Sequence, residues 1–220
     1  MQDIMTLFDT RASTDPDVTP RRRRWILLAG LATATASHDL DALDVLINQA
    51  EGIATQTEME EVLLQTLLFA GFPRTIEALA VLRKTHEKPQ SDHSAMKLDR
   101  SKGEQTCRRI YADRYTRLLK NMDHLHPDLT DWMLADGYGR VLSRPGLDIE
   151  TREICVVATL MATGMLPQFK AHLRGCLNLG ISEQDILWLT NRFAPIIAAD
   201  APGEFMRIRD ALLRSEQPET

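Results

Sequence analysis

Between Arg21 and about Glu87 the apolar positions return at intervals of three and four, the spacing that lays one apolar stripe along a helix. The clearest run is "EMEEVLLQTLLFAG", in which Gly71 supplies a stop, and Pro73 then opens a further helix, "RTIEALAVLRK". From Lys88 to Lys102 the chain reads "KPQSDHSAMKLDRSK", polar, aperiodic and marked by Pro89, which predicts a linker. Helical spacing resumes in "GEQTCRRIYADRYTRLLKNM", breaks at "DHLHP", continues in "DLTDWMLADGYGRVL", turns at "SRPGLD" and runs through three or four more helical segments to about Arg214. Strand-like alternation bounded by hairpin turns is absent, so the pattern predicts an all-α protein.

The pattern repeats. An offset of 128 residues lays Arg24 on Arg152, Ile26 on Ile154, Ala34 on Ala162, Thr35 on Thr163, Gly52 on Gly180 and Ile53 on Ile181. Each copy continues through a Gly-Ile step, an acidic helix start ("TEMEEVL" and "SEQDILWL"), a long apolar helix and a proline-led final helix. The expected organisation is a flexible segment 1–19, a first helical unit 20–87, a linker 88–102 and a second unit 103–216 preceded by an extra helical segment.

Composition narrows the partners. With 26 Lys and Arg against 31 Asp and Glu, the net charge is -5, which argues against nucleic-acid binding, since that requires a basic surface. No apolar run reaches the length of a membrane span and the N-terminus lacks the order of a signal peptide, so the expectation is a cytoplasmic protein with no membrane partner. The three cysteines, Cys107, Cys155 and Cys176, are widely spaced, form no zinc pattern and read as small buried hydrophobes. The run Arg21–Arg24 reads as a solvated first turn or an intersubunit ion pair, and "HLH", His124 to His126, as a loop; no metal site is expected. Trp132, Tyr138 and Trp188 read as core or interface anchors.

One ionisable ring stands in an apolar helical pattern. In "MLPQFKAHLRGCLNLG" the apolar face is Leu166, Phe169, Leu173, Cys176 and Leu177, and His172 falls at its edge, three residues from Phe169 and four from Cys176. Taken alone, this residue reads either as a core histidine donating one hydrogen bond or as a working group. The longer stretch "RPGLDIETREICVVATLMATGMLPQFKAHLRGCLNLGISEQDI" resembles the carboxymuconolactone decarboxylase family, and "EVLLQTLLFAGFPRTIEALAVLRK" resembles that family's closing helices. The resemblance implies an all-α fold assembled as a homo-oligomer, here a trimer of pseudo-dimers if each chain carries two copies.

The family's alkylhydroperoxidase (AhpD-like) members carry a Glu, a Cys-x-x-Cys pair and a His along two consecutive helices. Those positions here hold Glu153, Met165, Gln168 and His172. Neither Met nor Gln forms a thiolate or a disulfide, so the resemblance implies proton transfer without electron transfer. In the first copy the same positions hold Trp25, Ser37, Leu40 and Asp44, which implies a degenerate site that supplies pocket walls at most. That copy keeps an "AGFP" step where the second has "APIIAADAPGE".

The implied reaction is cofactor-free loss of carbon dioxide from a small carboxylated lactone or related enolisable acid, as in aromatic-compound catabolism. An imidazole gives and regains a proton near neutrality, and a carboxylate orients its ring. His172 is therefore the expected proton donor and Glu153 its partner, with Arg152, Arg174 and Gln168 as candidates to hold the anionic substrate, because a guanidinium grips a carboxylate through two hydrogen bonds. The reaction asks for no metal, flavin or nucleotide. The alternatives are a non-catalytic ligand-binding or assembly protein, and a peroxidase-like enzyme using a lone cysteine.

Overall fold

In a computed structural model that describes residues 17–90, 99–196 and 202–215, the described residues are helical with no strand. The expected flexible segment lies outside these residues except for 17–19, as do 91–98 of the linker and 197–201 of "APIIAADAPGE". Four helices form the first half: α1 (Pro20–Ser37), α2 (Leu40–Ala50), α3 (Gln56–Gln65) and α4 (Leu67–Leu82). A middle group follows, made of α5 (Arg100–Tyr111), α6 (Tyr115–Leu125), α7 (Pro127–Trp132) and a π-helical segment (Met133–Leu142). The second half holds α8 (Ile149–Ala162), α9 (Leu166–Asn178), α10 (Glu183–Phe193) and α11 (Pro202–Ser215). Displaced by 128 residues, α1, α2 and α3 fall within a few residues of α8, α9 and α10.

Two helices have no solvent-facing side. Every residue from Trp25 to Ala36 in α1 and from Thr151 to Ala162 in α8 is buried. These two carry little amphipathic pattern, because a helix surrounded by protein needs none. Their packing joins the halves into one core, with Leu27, Leu28 and Leu31 on one side and Ile154, Val156 and Leu160 on the other belonging to the same cluster. The first and second halves of the chain thus share one interior. A smaller second cluster, Cys107, Ile110, Tyr115, Leu134, Tyr138 and Leu142, belongs to the middle group.

Polar side chains lock the halves in register. Arg24 reaches Glu58 and Asp148, its Nη1 donating to Thr151 Oγ1 at 3.0 Å, and Arg22 pairs with Asp185 at 2.7 Å. Arg21 lies over the Trp25 ring, 4.1 Å from its centroid. The Arg21–Arg24 run, expected in solvent or between subunits, is therefore largely used within the chain, because α1 starts where α3, α8 and α10 offer carboxylates and hydroxyls. The aromatic expectations divide: Tyr138 is buried, Trp132 is exposed, and Trp188 is half-buried between Arg22 and Arg192.

Several boundaries differ from the sequence pattern. Asp99 caps α5, accepting from the Lys102 backbone N–H at 3.1 Å, so Arg100–Lys102 belong to a helix rather than to the linker. The run "EMEEVLLQTLLFAG" is not one helix: α3 and α4 meet at 118° around Thr66, and Gly71 leaves helical geometry at φ 81 before Pro73 resumes it. The predicted helix 103–122 breaks at a tight turn, Ala112–Arg114, where Ala112 takes φ 47. His124 lies in the last turn of α6, and only His126 leaves it, accepting from the Asp128 N–H as the cap of α7. Among the described residues no single helix is long and apolar enough to cross a membrane.

The middle group owes its placement to two glycines. Gly103 on α5 and Gly139 on the π-helical segment meet backbone to backbone: a Cβ on Gly139 would stand 2.6 Å from the Asp99 carbonyl oxygen, and one on Gly103 would strike the Leu134 carbonyl. The wide winding of that segment is closed by the Ser143 N–H donating to the Tyr138 carbonyl at 2.9 Å, a bond spanning five residues. This contact sets Tyr138 beside Tyr111, ring centroids 6.3 Å apart. Gly139→Ala is expected to lower stability by about 1–3 kcal/mol, measured by urea unfolding, because no side-chain rotation relieves a backbone clash.

Candidate functional site

Glu153 projects from α8, which is buried on every side, and His172 from the buried face of α9, which packs against α8. His172 Nδ1 and Glu153 Oε2 are 2.8 Å apart, with both side chains almost fully buried. A buried carboxylate is costly unless it is paired. Here only one oxygen is: Glu153 Oε1 is buried without a hydrogen-bond partner. A fold that retains such a half-satisfied carboxylate beneath a histidine has the character of a working site rather than of a packing solution.

The room for this pair comes from Gly175, three residues beyond His172. A Cβ there would lie 2.9 Å from Glu153 Oε2 and 2.7 Å from Ile110 Cγ2, so any side chain at 175 displaces the carboxylate. Glycine is disfavoured inside helices, and its position within α9 is the sequence signal that marks it as functionally placed.

With Nδ1 engaged by Glu153, Nε2 is the ring nitrogen left for a ligand. His172 lines a pocket of about 650 Å³, together with Tyr111, Tyr138, Gln168, Leu68 and Phe69. Phe69 and Tyr111 stand edge-on to the imidazole, at centroid distances of 5.9 and 6.1 Å. Leu68 and Phe69 come from α4, so the first half does wall the chamber whose ionisable groups belong to the second. Burial and mutual hydrogen bonding push the Tyr138 phenol well above its ordinary value; burial likewise raises Tyr111, against the opposing pull of its bond with Tyr138. Both are neutral hydroxyls at physiological pH. The two tyrosines and Phe69 lie outside the motif that identifies Glu153 and His172, and no spacing rule connects them to it.

The remaining sequence candidates divide. Gln168 is in the chamber, in the first turn of α9, which no side chain caps. Arg174 lines an adjoining cleft rather than the chamber itself. Arg152 does neither: its Nη2 bonds Glu61 Oε2 at 2.9 Å and the Arg144 carbonyl at 2.9 Å, and its Nη1 bonds Gln65 Oε1 at 3.2 Å. Only 2% exposed, it is absent from the chamber lining. Adjacent to Glu153 on the helix, Arg152 must point about 100° away from it, and on α8 that direction is the interior between the halves. In the first half, Trp25 occupies the position aligned with Glu153, and its Nε1 donates to Thr151 Oγ1 at 2.9 Å.

The cysteines are buried. Burial pushes the Cys107 thiol up to about 12 and raises the Cys155 and Cys176 thiols well above the ordinary thiol value. None is a thiolate at neutral pH, which removes the physical basis of lone-cysteine peroxidase chemistry. Among the described residues no group of three His, Cys, Asp or Glu side chains is placed to hold a metal ion.

Residues 127–195 match the carboxymuconolactone decarboxylase family. Over 70 residues the chain is 33% identical to 4-carboxymuconolactone decarboxylase of Acinetobacter baylyi, covering 32% of this chain and 52% of that protein. It is also similar to Peroxisomal protein 2 of Schizosaccharomyces pombe, 27% identical over 147 residues, which is 64% of this chain and 68% of that one. The protein of the same name from Saccharomyces cerevisiae is 25% identical over 160 residues, covering 59% and 56% respectively. The chain thus spans about half the length of the decarboxylase it matches.

Two outcomes follow from the geometry. Arg152→Ala is expected to cost about 3 kcal/mol in urea unfolding, because it leaves Glu61 buried with Arg144 as its remaining cation. Maleimide added to the native protein is expected to leave all three cysteines unmodified by mass spectrometry, and to label all three after denaturation.

Proposed function

We propose, from the premise that this chain belongs to the carboxymuconolactone decarboxylase family, that it is a cofactor-free decarboxylase of small carboxylated lactones or related enolisable acids. The observation that carries this reading is the buried Glu153–His172 pair, 2.8 Å apart, opening on a largely apolar chamber. In such a reaction the bond to the departing carboxylate breaks heterolytically and carbon dioxide leaves. The electron pair passes through the ring double bond into the lactone carbonyl, giving a dienolate oxyanion. His172 then delivers its Nε2 proton to the ring carbon, the carbonyl re-forms, and the imidazole regains a proton from solvent.

Each step has a chain group to serve it. Glu153 orients the ring and stabilises its protonated form. Gln168, on the chamber wall in the first turn of α9, serves as an amide N–H donor to the developing oxyanion. Apolar walls disfavour the charged carboxylate relative to neutral carbon dioxide. Arg174, in the adjoining cleft, is the candidate cation for a substrate carboxylate that extends beyond the chamber.

The same proposal takes the two halves as a tandem pseudo-dimer, in which the first copy supplies walls and the second the reactive groups. It also takes the chain as a cytoplasmic homo-oligomer. Phe72 and Ile76, four residues apart beyond the Gly71 break in α4 and largely exposed, support assembly with further copies. A second reading, ligand binding or assembly without turnover, is favoured by the degenerate first copy, in which Trp25 stands at the position aligned with Glu153.

With 4-carboxymuconolactone as substrate, His172→Ala is expected to lower kcat by about 10²- to 10⁴-fold while leaving the helical circular dichroism intact. Wild-type turnover in a folded His172→Ala variant sinks the mechanism. Calorimetric binding of the lactone to the native protein without release of carbon dioxide favours the second reading.

A further inference from the structure

Two phenols share the chamber with His172: Tyr111, the last residue of α5, and Tyr138, buried in the π-helical segment. The Tyr111 ring stands edge-on to both, its centroid 6.1 Å from the imidazole and 6.3 Å from the Tyr138 ring. Among the described residues that line the chamber there is no arginine or lysine, and Asn121 and Gln168 add amides. Apart from His172, the donors that meet a ligand there are neutral.

The two phenols are hydrogen-bonded, and the bond favours the anion of Tyr111 while opposing that of Tyr138. A hydrogen bond stabilises the anion of its acceptor, so Tyr138 donates and Tyr111 accepts. A hydroxyl has one proton and two lone pairs, and accepting one bond leaves the Tyr111 proton for a second acceptor. Burial above all, with the nearby Glu153 carboxylate, keeps that proton in place at physiological pH. The backbone here is strained: Ala112, which follows Tyr111, takes φ 47 and ψ -121, a conformation that residues with a Cβ rarely adopt. It persists only where the surrounding packing imposes it, and it ends α5 at Tyr111, on the chamber wall.

We propose that Tyr111 is a catalytic hydrogen-bond donor, its hydroxyl holding the carbonyl oxygen of an enolisable substrate, with Tyr138 as the residue that positions and polarises it. The assignment rests on the decarboxylase reading of the chamber. As the carboxylate leaves as carbon dioxide, the electron pair of the broken bond comes to that oxygen, and a preorganised hydroxyl binds it more strongly as charge develops. Tyr111 keeps its proton; the one that reaches carbon comes from His172, and the pair returns from oxygen as the carbonyl re-forms. A neutral donor suits this task better than a cation, which would bind the substrate carboxylate in the ground state and hold it back. Gln168 supplies a second donor, and the relay from Tyr138 through Tyr111 strengthens the first. The substrate class this selects carries its carboxylate on the carbon next to a carbonyl, or one double bond further on.

Two ligands, 4-nitrophenolate, whose oxygen stands in for the dienolate oxyanion, and uncharged nitrobenzene, test the donor calorimetrically on the full-length protein without requiring turnover. The native protein is expected to bind the phenolate more tightly than nitrobenzene. Tyr111→Phe is expected to weaken phenolate binding at least ~10-fold and to leave nitrobenzene binding unchanged, which also reports an intact chamber. Tyr138→Phe keeps the donor and loses its polarising partner, so a weakening of about 3-fold is expected. With 4-carboxymuconolactone, Tyr111→Phe should lower kcat about 10²-fold with KM little changed. The inference is overturned if the native protein prefers nitrobenzene, if Tyr111→Phe binds both ligands as the native protein does, or if Tyr138→Phe loses as much phenolate affinity as Tyr111→Phe. The first of these criteria needs no variant and stands even where Tyr111→Phe does not fold. Phenolate binding that depends on Tyr111, with no carbon dioxide released from the lactone, tells against the decarboxylase reading alone. Undiminished turnover in folded Tyr111→Phe tells against the donor alone.

Discussion

Everything in this molecule is arranged around two helices, α1 and α8, that are buried on all sides and packed on each other. Such helices gain their stability from neighbours, so each surrounding helix must cover a strip of one or both. That requirement explains why the two halves have a common interior, and why side chains on the pair bond to each other and to α3. Trp25 bonds Thr151 across the contact, while Arg24 and Arg152 each reach acidic residues of α3, Glu58 and Glu61. A charge placed on either helix has to find its partner inside the protein, because water does not reach it.

The site inherits its properties from this constraint. Glu153 is half-satisfied because it extends from a helix with no solvent side, toward α9 at the one point where Gly175 leaves space. His172 is held by Glu153 on one nitrogen and edged by Phe69 and Tyr111, so the ring presents Nε2 with little freedom to rotate. The chamber needs material from three parts of the chain: α4, the middle group and α9. The glycine contact between α5 and the π-helical segment brings Tyr138 to that chamber, where wide helical winding commonly accompanies function. The adjoining cleft depends on the same arrangement, since the break at Ala112 turns Arg114 and Arg117 toward α9.

The similarity to the carboxymuconolactone decarboxylase family lies on the part of the chain that carries the Glu153–His172 helices, since residues 127–195 hold both. The alignment with Acinetobacter baylyi 4-carboxymuconolactone decarboxylase is shorter than those with the two Peroxisomal protein 2 sequences. The family match therefore covers the helices that carry Glu153 and His172 and none of α1 to α4. Those first helices nevertheless share the core and wall the chamber, which ties their packing to whatever the site does.

The all-α class and the contact of Glu153 with His172 were legible in the sequence, because periodicity reports which residues share a face and a motif reports which side chains act together. The burial of the cysteines was legible for the same reason. The role of Arg152 was not: adjacency to Glu153 suggested the substrate, yet successive helical residues point in different directions, and only packing reveals that one direction leads to Glu61. Periodicity likewise could not place the bend at Thr66, where neighbouring helices outweigh a continuous apolar run. Leu68 and Phe69 in the chamber and Ile110 against Gly175 come from segments remote in sequence from Glu153 and His172. Their convergence is a property of how helices pack, and that is decided by the whole set of buried faces at once.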